Sequence, residues 1–181
     1  MMEADHAPTS SPHTAHRPEH PAEPATMSVF IGYRHDDYGH ALRVRKHLRR
    51  AGIEVRMDVL DFESLSTLHV TETVTGHVRG CTHLMLVLSR AGAWRWWIPF
   101  AVGEASALDR RVCFYQVGDE ALPEYLEHWP ILSRPQQLDF LIEAYHREAA
   151  LKMPIRSASQ PTDVRAMDIH RGLRERIGRG F

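Results

Sequence analysis

Apolar side chains recur along this chain with two different periods. Residues 28–33, SVFIGY, form a short apolar run with β-branched and aromatic members and Gly32 near its end, which predicts a buried strand. In the DDYGHALRVRKHLRRAG that follows, Ala41, Val44 and Leu48 are spaced by three and four before the stop signal of Gly52. That is the pattern of a helix with one face turned inward. IEVRMD (53–58) alternates as a strand, VLDFESLSTLH (59–69) reads as a loop, and Val70, Val74 and Val78 return to helical spacing. THLMLVLS (82–89) and RVCFYQV (111–117) are nearly continuous apolar runs, as expected of strands buried on both faces of a parallel sheet. The helix-like WRWWIPFAVGEA (94–105) lies between them. Strand and helix alternate through four strands, which predicts an open α/β sheet with right-handed crossovers.

Beyond residue 117 the texture is less regular. ALPEYLEHWPIL reads as a short helical or turn segment punctuated by prolines, and RPQQLDFLIEAYHREAALK as a helix with Leu138, Leu141, Ile142 and Tyr145 inward. A proline-led linker then precedes a basic amphipathic helix that uses Ile169, Leu173 and Ile177. That helix is expected to dock on its own domain or on a neighbouring subunit. Residues 1–26 hold Pro, His, Ser, Thr and Ala with almost no large apolar side chain, the composition of a disordered tail. The expected division is therefore a tail at 1–26, a domain at 27–151, and a linker with a basic helix at 152–181. His6, His13, His16 and His20 in the tail lack the paired cysteines or rigid frame of a metal site and read as solvated residues.

Composition narrows the function classes. With 22 basic and 23 acidic residues among 181, no net field favours nucleic acid or an anionic membrane. No apolar run approaches the ~20 residues of a membrane helix, and the N-terminus has no apolar signal-peptide core. Cys81 and Cys113 sit in apolar surroundings without metal spacing and read as buried thiols of a reducing, cytoplasmic compartment.

In an open α/β sheet, ligands bind beyond the carboxyl ends of the strands. Those ends are GYRHDD, DVLDFESLS and SRAGAWRWW, and none carries a G-x-G-x-x-G or Walker loop. Phosphate would have to be held by an arginine-bearing loop and helix N-termini.

SVFIGYRHDD, AGIEVRMD, CTHLMLVLSRAGAWRWWIPF and LPEYLEHWPIL resemble, in order and spacing, a bacterial Toll/interleukin-1 receptor (TIR) domain over about residues 28–148. The resemblance implies a flavodoxin-like parallel sheet of five strands flanked by helices. It also implies an enzyme that cleaves NAD at the nicotinamide–ribose bond, with NAD as substrate and neither cofactor nor metal. The products would be ADP-ribose, a cyclic isomer or a related signal for a downstream effector, in antiphage immunity of the Thoeris type. Such domains carry a string resembling W-V-P-F-E-I-G, whose tryptophan precedes an essential glutamate by four residues. Set against WIPFAVG, Trp97 matches the tryptophan and Ala101 falls on the glutamate. Positions i and i+4 share a helix face. A carboxylate at 101 would hold ribose hydroxyls and stabilise the cation that develops as nicotinamide leaves, whereas a methyl group does neither.

The alanine marks either activity lost in descent or a glutamate deliberately replaced, and the intact surroundings favour replacement. Glu104 as a substitute lies about 300° round the helix and about 4.5 Å further along it. By resemblance, Tyr33 and Arg34 would contact adenine or phosphate; Arg34 reads equally as an exposed loop charge. Asp58 ends strand two, where a carboxylate meets a ribose or caps the next segment. Ser89 is a helix cap or a contact. Phe62 and Leu65, in the loop after strand two, would enter a neighbouring TIR subunit of a homo-oligomer or fold back on the core. Two other classes fit less well: a non-enzymatic TIR scaffold binding through the loop at 59–69 and the C-terminal helix, and a nucleoside deoxyribosyltransferase-like enzyme.

Overall fold

The computed structural model describes residues 26–60, 66–152 and 165–180. Five strands, β1 (Val29–Tyr33), β2 (Val55–Val59), β3 (His83–Ser89), β4 (Arg111–Val117) and β5 (Ile131–Leu132), form one sheet in the order β2-β1-β3-β4-β5. Every pairing is parallel, from Val29 opposite Val55 and His83 to Phe114 opposite Ile131. This is the flavodoxin-like order, and the β1/β3 junction where the winding reverses is its switch point. The fold class expected from the sequence is thus the one observed.

The helices are α1 (Tyr38–Arg50), α2 (Thr67–Arg79), a single turn α3 (Arg90–Ala93), α4 (Trp97–Ala107), α5 (Leu138–Lys152) and α6 (Ala166–Arg179). Alternate strand residues serve opposite layers. Phe30, Leu84, Leu86, Leu88 and Phe114 pack with Val70, Val74 and Val78 of α2 and with Trp97, Ile98 and Ala101 of α4. Val29, Ile31, Met85, Val87 and Tyr115 pack with α1, α5 and Leu173 of α6. Cys81 and Cys113 are free buried thiols, pushed by burial up to about 11 and about 12.

Two expectations are corrected. Helix α2 begins at Thr67, shortening the loop predicted to reach residue 69, because Ser66 caps it by accepting the His69 amide at 3.3 Å. The segment expected to be helix or turn contains a 3₁₀ turn at Glu124–Leu126 and then β5. Two residues are too few for any apolar period to register.

The C-terminal helix docks on its own domain. Asp109, at φ 51° in the left-handed region, accepts the Ala166 amide at 3.1 Å and so satisfies the first turn of α6. Because β5 is so short, the first half of β4 has an open edge, and His170 covers it by accepting the Val112 amide through Nε2 at 2.7 Å. Arg176 of α6 meets Glu143 of α5 at 2.6 Å and lies over the Phe140 ring. Of the expected inward residues, Leu173 is buried, whereas Ile169 and Ile177 are half-buried. No helix among the described residues is long and apolar enough to cross a membrane.

Candidate functional site

Crossover helices run antiparallel to the strands they follow, so the loops after β1, β2 and β3 gather at one end of the sheet. Gly32 shapes that end. A Cβ there would lie 2.5 Å from Leu60 Cδ1 and 2.8 Å from Leu86 Cδ2. With glycine there, the buried Leu60 folds across β1 without displacement, and its amide donates to the Tyr33 carbonyl at 2.7 Å.

At the switch point the chain turns sharply from β1 into α1. The Asp37 amide donates to the Arg34 carbonyl at 2.9 Å, and the Asp37 side chain, 3% exposed, points back to β3. Its Oδ2 accepts both the backbone amide and the hydroxyl of Ser89, each at 3.2 Å. Ser89 occupies the N-cap position of α3, but its hydroxyl is spent on Asp37 rather than on capping. Arg34 is mostly buried and reaches Asp36 at 3.6 Å. Gly92 closes the group: a Cβ there would stand 3.2 Å from Arg34 Cδ and 3.5 Å from both Asp37 Oδ2 and Ser89 Oγ. Arg34 and Ser89 are therefore brought together, through two residues the sequence reading had not singled out. The paired aspartates of RHDD, just ahead of a helical pattern, were the available signal for Asp37. Nothing local marked Gly92, whose significance lies largely in its approach to Arg34 and Asp37, more than 50 positions away.

Asp58 takes a different neighbour. Its Oδ1 accepts the Val59 amide at 2.8 Å, and its Oδ2 lies 3.1 Å from Nε2 of His77 on α2. The His77 ring stacks on Phe30 with 4.2 Å between centroids. Burial lowers the His77 imidazole from its ordinary value, with Asp58 acting in opposition. Tyr33 belongs to the α1 side of the sheet, near the Tyr38 ring at 5.7 Å, and burial first, then Tyr38 and Asp58, push its phenol up.

Trp97 and Ala101 lie on the opposite, α2/α4 side, 2% and 1% exposed within the apolar layer. Pro99 in the first turn of α4 costs that helix no internal hydrogen bond. Trp94 and Trp96, by contrast, are exposed. Glu104 turns towards the far end of the sheet, where it meets Arg79 at the close of α2 at 3.5 Å. Phe62 and Leu65 lie outside the described residues.

No family model matches the chain, and no curated protein matches it. Among solved structures, it is similar to a metazoan TIR-STING receptor from C. gigas in complex with 2′,3′-cGAMP, at TM-score 0.46 and 18% identity over 68% of this chain and 42% of the receptor. A second structure of that receptor gives TM-score 0.48 and 18% identity over 74% and 44%. A diflavin flavoprotein A3 from Nostoc sp. gives TM-score 0.39 and 16% identity over 83% and 91%. At such identities the likeness concerns the fold alone. This chain spans less than half the length of the receptor chains.

Proposed function

We propose that this chain is a TIR domain of the NAD-cleaving, antiphage type whose catalytic glutamate position is held by Ala101, so that it binds the dinucleotide without turning it over. The observation that carries the reading is the order of motifs ending in Trp97 and Ala101, one helical turn apart on the buried face of α4. Arg34 and Ser89, the latter held by Asp37, supply the charge and hydroxyl that a phosphate and ribose would meet.

In the chemistry proposed for a glutamate at 101, that carboxylate faces the ribose. The C1′–N bond breaks, its electron pair leaves with neutral nicotinamide, and the carboxylate stabilises the cation at C1′. Water adds to C1′ and loses a proton to give ADP-ribose; attack by an internal nucleophile gives a cyclic isomer. Alanine supplies no such charge. A second reading, a non-enzymatic interaction module, is favoured by one observation: Ala101 packs as an ordinary core residue.

Nicotinamide release by Ala101→Glu protein, assayed beside the unaltered chain in dilute and concentrated solution, separates the two. Release from the glutamate variant alone, with an ADP-ribose-derived co-product resolved by chromatography, is the expected result. A folded glutamate variant that neither binds nor cleaves NAD overturns the enzyme reading in favour of the module.

A further inference from the structure

Docking of α6 on the sheet leaves a pocket of about 520 Å³ between that helix and the segment before β5. It lies where the strands begin, beside Asp109 and Val112, at the opposite end of the sheet from the loops after β1, β2 and β3. Arg165, His170, Arg171 and Arg174 line it from α6 and its N-cap, and His128 lines it from the other wall. Asp168 is there too, but its carboxylate is held by Arg171 at 2.5 Å, so that pair carries no net charge. Arg165 and Arg174 have no carboxylate within 4.0 Å among the described residues. Two guanidinium charges in the pocket are therefore uncompensated.

Helix stability explains neither charge. Arg165 stands at the N-cap, where the macrodipole is positive and disfavours a cation, and Arg174 lies in mid-helix, where the dipole no longer acts. Arg174 is nevertheless held in place: its Nη1 donates to the His128 carbonyl at 3.1 Å, leaving its other N–H groups for a ligand. His170 contributes a further donor, and the backbone dictates which nitrogen bears it. Nε2 accepts the Val112 amide at 2.7 Å and so carries no proton, which puts the hydrogen of the neutral ring on Nδ1. That N–H belongs to a side chain only 9% exposed, lines the pocket, and has no acceptor among the described residues. A buried donor fixed in one tautomer with nothing to receive its hydrogen bond distinguishes this pocket from a solvated basic face.

We propose that this pocket binds a small phosphomonoester of the sugar-phosphate class, its phosphate received by Arg165, Arg174 and the Nδ1–H of His170. Two positive charges match a group that carries about −2 near neutral pH. Three donor groups suit the three terminal oxygens of a phosphomonoester better than the two of a carboxylate. Met167 is the one large apolar side chain of the lining, which fits a small polar body and not a lipid chain. The volume is that of a small-ligand site. A phosphate bound there ties α6 to the segment before β5, so the ligand stabilises the docked helix. None of these residues belongs to the site proposed for NAD, so either site can fail without the other.

Titration of the full chain with ribose 5-phosphate, followed by calorimetry and by the imidazole signals of His170 in NMR, tests it. Saturable binding that moves the His170 Nδ1 signal is expected, with no response to ribose. Arg165→Gln and Arg174→Gln should each weaken binding by about tenfold or more. Both arginines are exposed and glutamine keeps the helix propensity, so these variants should fold, with circular dichroism as the check. No binding at about 10 mM ribose 5-phosphate overturns the proposal. So does undiminished binding by the folded Arg165→Gln/Arg174→Gln double variant, an equal response to ribose, or a response that sodium chloride at matched ionic strength reproduces.

Discussion

The two ends of the sheet treat charge in opposite ways. Where the strands begin, Glu148 of α5 is 1% exposed and faces Arg111 at 2.7 Å and His83 at 3.5 Å, both also buried. The His83 ring continues the network to Thr82 at 2.9 Å, whose hydroxyl accepts the Ser28 amide at 2.9 Å. Tyr145 donates to the Met27 carbonyl beside it at 2.6 Å. Where β1 and β3 end, the side-chain contacts run at 3.2 Å for Ser89 on Asp37 and 3.6 Å for Arg34 on Asp36. A charge withdrawn from water must be closely met by its partners, as Asp37 is by Ser89, whereas Asp36 and Asp58 at the strand ends are exposed and keep solvent.

The sharpest way to break this contrast is Glu148→Ala, which would take from buried Arg111 its nearest carboxylate, at 2.7 Å, and leave Asp109 at 3.5 Å. Chemical denaturation should report a loss of about 3–5 kcal/mol. A near-neutral result would mean that the strand-start network holds nothing together.

Acid comes next. Burial, then Arg111, hold His170 down to about 4, as the unprotonated acceptor of the Val112 amide. The other groups around it, His128, His83 and Arg174, act in the same direction. The unfolded chain takes up this proton near pH 6.5, so stability is complete above that value and falls as pH drops towards about 4, by on the order of 3 kcal/mol. Denaturation midpoints measured between pH 7 and 4, with and without His170→Gln, would isolate the effect. A slope unchanged by the substitution would assign the acid sensitivity elsewhere.

The smallest effect is expected at the other end. Ser89→Ala removes one hydrogen bond to Asp37 while the Ser89 amide remains, and should cost about 0.5–1.5 kcal/mol. A cost equal to that of Glu148→Ala would erase the distinction between the two ends.

The sequence by itself determined the α/β alternation, the faces of α1 and α2 and the four longer strands, because burial imposes periods of 2 and 3.6 on any chain that forms such layers. Val70, Val74 and Val78, and likewise Ala41, Val44 and Leu48, are buried as their spacing demanded. It also placed Trp97 and Ala101 one turn apart, a purely local relation. Tertiary structure alone decided where β5 lies, that α6 returns to its own domain through Asp109 and His170, and that Asp58 takes His77 while Ser89 takes Asp37. The Ser89–Asp37 bond spans 52 residues, and the Val112–His170 bond 58. A periodicity a few residues long carries no information over such separations, because which side chains meet depends on how the strands are ordered in the sheet.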